Sequence, residues 1–184
     1  MHQRLNIITG NRPERKPLLM EEISRQGVTN YTFWDSVYDR RSVKAGINEA
    51  HKQIVRYAKI AEFSEVLIAE DDFIGTHQDS FKFFLSQKPP QYDMYLSMVY
   101  MGDLDDSDRV VSFTGMTMYF VHSRFYDTFL SVDPEEHIDR ALAGLGDYHV
   151  CNPFAFIQRN GWSANTGKNE VYDSLLANRK LFGV

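Results

Sequence analysis

The sequence predicts a single α/β domain in which helices flank a mixed, mainly parallel sheet. Segments typical of strands alternate with segments of helical periodicity, beginning with strand, helix, strand at the amino-terminal end. The continuous apolar run from Val66 to Ala69 is typical of a strand buried on both faces, as in parallel sheets. Because 184 residues are enough for one domain with a sizeable core, we expect residues 1–184 to form one domain.

The spacing of apolar residues and the positions of Pro and Gly predict the amino-terminal elements. Pro13 suits the first turn of a helix, and Gly27 suits its end. Gly46 precedes a run of apolar residues at helical spacing, which predicts a long helix. In order, the predicted elements are a strand over residues 4–9, a helix over 13–27, a strand over 31–34, a loop over 37–44 and a helix over 47–63.

The remaining two thirds of the chain continue the alternation of strands and helices. The segment 102–109 is predicted as a loop because it is acidic and has a single large apolar residue, Leu104. The other predicted elements are strands over 66–69, 92–100, 110–113, 116–121, 148–151 and 154–158, helices over 76–86, 123–130, 134–142 and 170–179, and a loop over 161–167.

One stretch joins a buried strand to three carboxylates, Glu70, Asp71 and Asp72. A buried strand cannot hold three charges within the sheet, so they must emerge at its carboxyl end, where open α/β sheets bind ligands. Adjacent anions repel one another unless a cation lies beside them, and Mg²⁺ or Mn²⁺ prefers oxygen ligands. The stretch therefore predicts a metal–diphosphate site, and a solvated acidic turn is the alternative interpretation.

Composition and charge narrow the classes of function. A formal net charge of −5 argues against non-specific binding to nucleic acid, which requires a basic face. The single cysteine, Cys151, cannot form an intrachain disulfide, which indicates a reducing compartment. No apolar run is long enough for a membrane span or typical of a signal peptide. We therefore expect a cytoplasmic protein, and peripheral association with a membrane stays open.

Several motifs follow one another along the chain. They are Arg12 and Arg15 after the first strand, the segment 46–51 from Gly46 to His51, the triplet 70–72, Gly115 before a Tyr-containing strand, Asp139 on a later helix, and Gln158 and Ser163 near the end. In this order they resemble glycosyltransferase family 25, the bacterial lipopolysaccharide-type transferases with a nucleotide-diphospho-sugar (GT-A type) fold. The resemblance covers about residues 4 to 165, although Ile47 and Ala50 stand where the family usually has Cys and Ser.

The resemblance implies an inverting, metal-dependent transfer of a sugar from a nucleotide diphosphate sugar, with a UDP-sugar as the leading candidate. The acceptor would be a glycan of lipopolysaccharide or another cell-surface polysaccharide. Glu70 and Asp72 would bind Mn²⁺ or Mg²⁺, and Asp139 would be the base that activates the acceptor hydroxyl. The residues expected at the donor are Thr9, Arg12, Asp35, His51, Lys52 and Asp71.

The sequence leaves other interpretations open. His51, Lys52 and Asp139 have the alternative of an ordinary helix surface, and for Arg15 we expect a surface charge. The chain as a whole has the alternative of a non-catalytic module that binds a sugar nucleotide or a glycan. A metal-dependent phosphoesterase or nucleotidyltransferase is a further alternative if the acidic loop over residues 103–108 lies beside Asp72.

Overall fold

The computed structural model describes residues 4–10, 12–110 and 112–184, and a six-stranded sheet runs through its centre. The strands, in chain order, are β1 (Leu5–Thr9), β2 (Tyr31–Asp35), β3 (Glu65–Glu70), β4 (Phe73–Gly75), β5 (Met94–Leu96), β6 (Met118–His122), β7 (Tyr148–Val150), β8 (Phe156–Gln158), β9 (Gly161–Ser163) and β10 (Lys168–Glu170). The central sheet has the order β2-β1-β3-β6-β5-β7, while β4 pairs with β8 and β9 with β10.

The central sheet is mixed and mainly parallel, as predicted. Strands β2, β1 and β3 are parallel to one another, and so are β5 and β7. Strand β6 is antiparallel to both of its neighbours, β3 and β5. The carboxyl ends of β1, β2 and β3 therefore meet at one edge of the sheet.

Helices cover both faces of the sheet. The helices are α1 (Arg15–Arg25), α2 (Val43–Ile60), α3 (Ser80–Ser86), α4 (Tyr126–Ser131), α5 (Ile138–Leu142) and α6 (Asp173–Leu176), and a 3₁₀ turn, Ser123–Phe125, leads into α4. On one face, apolar residues of α2, α4 and α5 form a core with β3, β5 and β6. On the other face, α1 and α3 pack against the opposite side chains of the same strands. Across the described residues, we find no helix whose length and apolar character would let it span a lipid bilayer.

The alternation of side chains along β1 and β3 decides which face each residue reaches. Ile8 packs in the core on the α2 face, whereas Ile7 and Ala69 pack in the core on the α1 face. The parallel register aligns Ile8 with Glu70, so Glu70 belongs to the α2 face. Asp71 follows with the opposite parity, so Glu70 and Asp71 are directed to opposite faces of the sheet.

Several predicted boundaries are wrong, and local chemistry explains two of them. Helix α2 begins at Val43 because the Ser42 hydroxyl caps it by accepting the Ala45 N–H at 3.1 Å. The predicted loop over 161–167 is part of the β9–β10 hairpin. The helices predicted over 134–142 and 170–179 are limited to the shorter α5 and α6. The strand predicted over 110–113 reduces to a bridge at Val110, with Val111 outside the described residues.

Gly46 lies inside α2 rather than before it, and it lets the loop after β2 approach the helix. A Cβ at this position would lie 2.4 Å from the carbonyl oxygen of Val37. Helix α2 therefore needs Gly at position 46, because a side chain there would collide with the backbone of Val37.

We predict that Gly46→Ala destabilises the protein by about 1–3 kcal/mol, the usual cost of an overpacked site. This sign is opposite to that expected for an unhindered helix position, where replacing Gly by Ala gains roughly 0.5–1 kcal/mol. Chemical denaturation of both proteins measures the difference. A more stable variant would contradict the close approach of Val37.

Candidate active site

A cleft of about 570 Å³ opens at the edge of the sheet where β1, β2 and β3 end. One part of its wall comes from the loop after β2 and the start of α2, and another from α5 and the β9–β10 hairpin. Residues that line the cleft include Gly10, Arg12, Arg15, Val37, Tyr38, His51, Glu70, Asp71, Asp72, Gly115, Asp139 and Gln158. The cleft thus brings together the acidic triplet and most of the motifs that the sequence singled out.

Two carboxylates of the triplet have partners on opposite faces of the sheet. Glu70 lies on the α2 face, with its Oε1 3.3 Å from His51 Nε2. Asp71 lies on the α1 face, where it accepts the Gly10 N–H at 2.9 Å and a bond from Arg15 at 2.7 Å. The donor from Gly10 is a backbone amide that directly follows β1. The opposite directions separate the two charges and give each its own donors.

Asp72 is the most buried member of the triplet, with 5 % of its surface exposed. Its Oδ2 accepts hydrogen bonds from Arg15 and from the Gln158 side chain, both at 2.9 Å. Burial and, less strongly, the charge of Glu70 raise the pKa of Asp72 to about 7, against the opposing effect of Arg15 and Gln158. Burial of this carboxylate in its charged form is therefore unfavourable, and shifted pKa values of this kind are typical of functional sites.

The second oxygen of Asp72 bears on whether a divalent cation fits the site. Oδ1 is buried and has no hydrogen-bond partner within the described residues. Among those residues, no group of three or more His, Cys, Asp or Glu side chains is arranged to hold a metal. Mg²⁺ is commonly held by one or two carboxylates together with substrate phosphates and water. Glu70 and Asp72 thus fit a cation whose shell is completed by a substrate.

Arg15 is at the centre of the site and is not the surface charge that we predicted. Its Nη1 donates to Asp71 and Asp72, and its Nη2 donates to the Trp162 carbonyl at 2.8 Å. Burial lowers the pKa of Arg15, but the two aspartates outweigh burial and raise it above the ordinary value. Arg12 donates to the same carbonyl at 2.6 Å, so two guanidinium groups converge at the mouth of the cleft.

His51 and Lys52 are adjacent in α2, but only His51 lines the cleft. His51 is 2 % exposed, and its Nδ1 lies 2.6 Å from the Tyr119 hydroxyl, which fixes the ring beside Glu70. Lys52 is rotated by about 100° around the helix. Its Nζ donates to the Val132 carbonyl at 2.5 Å, away from the cleft, which is a correction of the expected donor contact.

Thr9 and Asp35 lie at the predicted edge of the sheet but do not line the cleft. The register pairs the two residues, so they share a face, and this face is opposite to that of Ile8. The Thr9 hydroxyl donates to the Trp34 carbonyl at 3.2 Å. The expectation that both contact a donor is corrected because strand parity turns both side chains away.

Asp139, in the first turn of α5, lines the same cleft as the triplet. Its Oδ2 accepts the Gly115 N–H at 2.9 Å and its Oδ1 accepts the Arg140 N–H at 2.8 Å. These two bonds orient the carboxylate, and each oxygen keeps a further lone pair.

Asn48 is a buried residue of α2 that the sequence analysis did not single out. Its amide donates to the carbonyls of Glu136 and Pro134 at 2.7 and 3.0 Å and so fixes the segment that leads into α5. Neither Asn48 nor Arg15 stands out by residue type alone. The feature of the sequence that could have pointed to the role of Arg15 is its position three residues after Arg12, on the first turn of α1.

Comparison with solved structures supports the fold. HddC from Yersinia pseudotuberculosis is 15% identical, with a TM-score of 0.56 over 85% of this chain and 93% of that chain. A second HddC structure, complexed with GMP-PN, has a TM-score of 0.52 at 16% identity, over 85% of this chain and 93% of that chain. A glycosyltransferase involved in the glycosylation of the major capsid of PBCV-1 has a TM-score of 0.51 at 15% identity, over 86% of this chain and 94% of that chain.

These similarities confirm the predicted fold class, a GT-A-like α/β domain, and show that the chain shares a fold with a glycosyltransferase. At such low identity they concern the fold alone. No protein-family model matches the chain, and no curated protein sequence matches it. The resemblance to glycosyltransferase family 25 therefore continues to rest on the motifs of the sequence.

We predict that Arg15→Gln destabilises the protein by about 1.5–3 kcal/mol, because it removes charge-assisted hydrogen bonds to two carboxylates. The matched control is Arg12→Gln, which removes a bond to the Trp162 carbonyl and should cost about 1 kcal/mol or less. Urea denaturation at neutral pH measures both. Equal losses would mean that the contact with Trp162, and not the acidic triplet, gives Arg15 its importance.

Proposed function

We propose that the protein is a glycosyltransferase that moves a sugar from a nucleotide diphosphate sugar to a glycan acceptor with the help of Mn²⁺ or Mg²⁺. The observation that carries the proposal is the unpaired, buried Oδ1 of Asp72 in a cleft that also contains Asp139. The acceptor that we favour is a glycan of lipopolysaccharide or another cell-surface polysaccharide. A buried free thiol at Cys151 suits a reducing compartment such as the cytoplasm.

Charge and shape in the cleft support a nucleotide diphosphate as the donor. Within the described residues, the Arg12 guanidinium donates only from Nη1, to the Trp162 carbonyl, so its other N–H groups can bind phosphate oxygens, and Arg15 beside it adds positive charge. Tyr38, which is 90 % exposed, also lines the cleft, and the base of the nucleotide can stack on its ring. Binding of GMP-PN by HddC, a protein of similar fold, agrees with this assignment. A UDP-sugar remains our leading candidate.

In the proposed reaction, the residues of the chain act in the following way. Glu70 and Asp72 would hold the cation, which would stabilise negative charge on the departing nucleotide diphosphate. His51, fixed by Tyr119, orients Glu70, and Arg15 orients Asp72. Asp139 takes the proton from the acceptor hydroxyl while the oxygen of that hydroxyl forms a bond to the anomeric carbon and the bond from this carbon to the nucleotide diphosphate breaks. Because the attack is direct and comes from the side opposite the leaving group, the configuration is inverted.

The alternative of a phosphoesterase or nucleotidyltransferase has less support. It needs further carboxylates beside Asp72, and none of Asp103, Asp105, Asp106 and Asp108 lines the cleft. Asp105 instead accepts bonds from Ser107, within its own loop. The alternative of a non-catalytic binding module predicts donor binding with neither transfer nor hydrolysis, and calorimetry with a panel of nucleotide sugars and Mn²⁺, followed by product analysis, separates it from an enzyme.

We predict that Asp72→Asn removes most of the Mn²⁺-dependent binding of the nucleotide sugar found by this panel. The change replaces a charged oxygen ligand by a neutral amide. It also removes a carboxylate whose burial is unfavourable, so the variant should unfold at no lower temperature than the unmodified protein at neutral pH. Titration calorimetry and thermal unfolding measure the two effects. Unchanged affinity would mean that the triplet is only an acidic turn.

We predict that Asp139→Asn lowers turnover by about 10²–10⁴-fold, the usual contribution of a general base, while donor affinity changes little. Donor affinity would come from the cation, the diphosphate contacts and the base pocket, none of which includes Asp139. Single-turnover transfer and donor titration measure the two quantities separately. Parallel losses of both would make Asp139 a structural residue or a donor ligand.

A further inference from the structure

A second cavity, of about 250 Å³, adjoins the cleft beside the proposed base. Met101, Thr114 and Arg140 line both spaces, and Phe113 and Ala143 line the second cavity alone. Because these three residues are shared and Asp139 lines the cleft, a molecule with its hydroxyl at Asp139 can extend past Arg140 into the second cavity.

The wall between the two spaces is made by close contacts of the backbone. The Thr114 N–H donates to the Met101 carbonyl at 2.8 Å. A Cβ on Gly102 would lie 2.2 Å from the Ser112 carbonyl oxygen, so the two chain segments touch. The second cavity is therefore a shaped part of the fold and not a gap between loose loops.

Arg140 lines this cavity and Arg179 contacts its wall, and within the described residues neither guanidinium group forms an ion pair. Arg140 is exposed, and both oxygens of the adjacent Asp139 already accept backbone N–H groups. Arg179 donates to the carbonyl of Gly102, a residue of the cavity wall, at 3.0 Å and lies over the Phe154 ring. Arg140 therefore presents an uncompensated positive charge to the cavity, which suits an anionic ligand.

We propose that the acceptor carries an anionic group, a carboxylate or a phosphate, which Arg140 binds in the second cavity while the acceptor hydroxyl faces Asp139. This inference rests on the proposed glycosyltransferase function and defines the class of its acceptor. The guanidinium of Arg140 offers the paired donors that match carboxylate or phosphate oxygens, and Arg179 adds positive potential. Met101, Phe113 and Ala143 provide apolar surface for the body of the acceptor.

The test compares three probes that differ only in the group at carbon 6, which is neutral in methyl glucoside, a carboxylate in methyl glucuronide and a phosphate in methyl glucoside 6-phosphate. Their binding is measured by NMR titration in the presence of UDP and Mn²⁺. We expect at least one anionic probe to bind about tenfold or more tightly than the neutral one, as hydrogen bonds to charged groups allow. The preferred anion distinguishes an acidic sugar from a phosphorylated acceptor.

The variants Arg140→Gln and Arg140→Lys assign the effect to this side chain. Arg140→Gln should abolish the preference for the anion, and Arg140→Lys should keep part of it, because the charge remains without the bidentate geometry. Arg4→Gln removes an equal charge from the amino-terminal end of β1, at the opposite edge of the sheet, and should change nothing. UDP affinity should be the same in all four proteins.

Three results would overturn the proposal. The first is equal binding, or no binding, of neutral and anionic probes. The second is a preference for the anion that survives in Arg140→Gln, and the third is a matching loss of UDP affinity in that variant, which would make Arg140 a donor ligand. If no nucleotide sugar of the panel binds to the unmodified protein in the presence of Mn²⁺, yet the preference exists and depends on Arg140, the anion site stands and the glycosyltransferase function fails.

Discussion

Like charges at the end of a buried strand repel one another, and the structure around Glu70, Asp71 and Asp72 offsets that repulsion in three ways. Strand parity directs the first two carboxylates to opposite faces of the sheet. Arg15 bridges Asp71 and Asp72, while the Gly10 N–H and the Gln158 amide supply further donors. Burial and, less strongly, the charge of Glu70 still raise the pKa of Asp72 to about 7. The cleft therefore keeps a local demand for positive charge, which a bound cation would meet.

The same constraint ties together segments that are distant in the chain. Arg15 connects α1 to the end of β3 and to the β9–β10 hairpin, and Gln158 connects β8 to Asp72. His51 connects α2 to Glu70 on the other face. Each of these contacts joins different elements of the fold, so their geometry depends on how the elements pack around the central sheet. The site is consequently a product of the whole fold and not of one local motif.

The sequence predicted the layers of the fold, the acidic edge and the position of Asp139 in the cleft, because each depends on patterns that survive in a linear chain. Apolar periodicity identified β3 and α2, and a run of carboxylates after a buried strand can emerge only at the carboxyl end. The sequence alone did not predict to which face of the sheet each side chain is directed. Thr9 and Asp35 lie at the predicted edge of the sheet, but their side chains belong to the face opposite to that of Ile8. Which of the two faces lies beside the cleft depends on which face α2 covers. The role of Arg15 depends on contacts to residues 56, 57 and 147 positions away, which residue spacing alone does not reveal.

Under the proposed function, the distribution of charge in the cleft affects how both anionic substrates bind. Arg12, Arg15, Glu70, Asp72, Asp139 and Arg140 all line the cleft, and Arg140 also lines the second cavity. The carboxylates repel an anionic acceptor, whereas Arg140 attracts its anionic group toward the second cavity. The same carboxylates repel a diphosphate until a cation neutralises them. A bound cation would therefore favour the diphosphate at Glu70 and Asp72, while the anionic group of the acceptor would bind at Arg140.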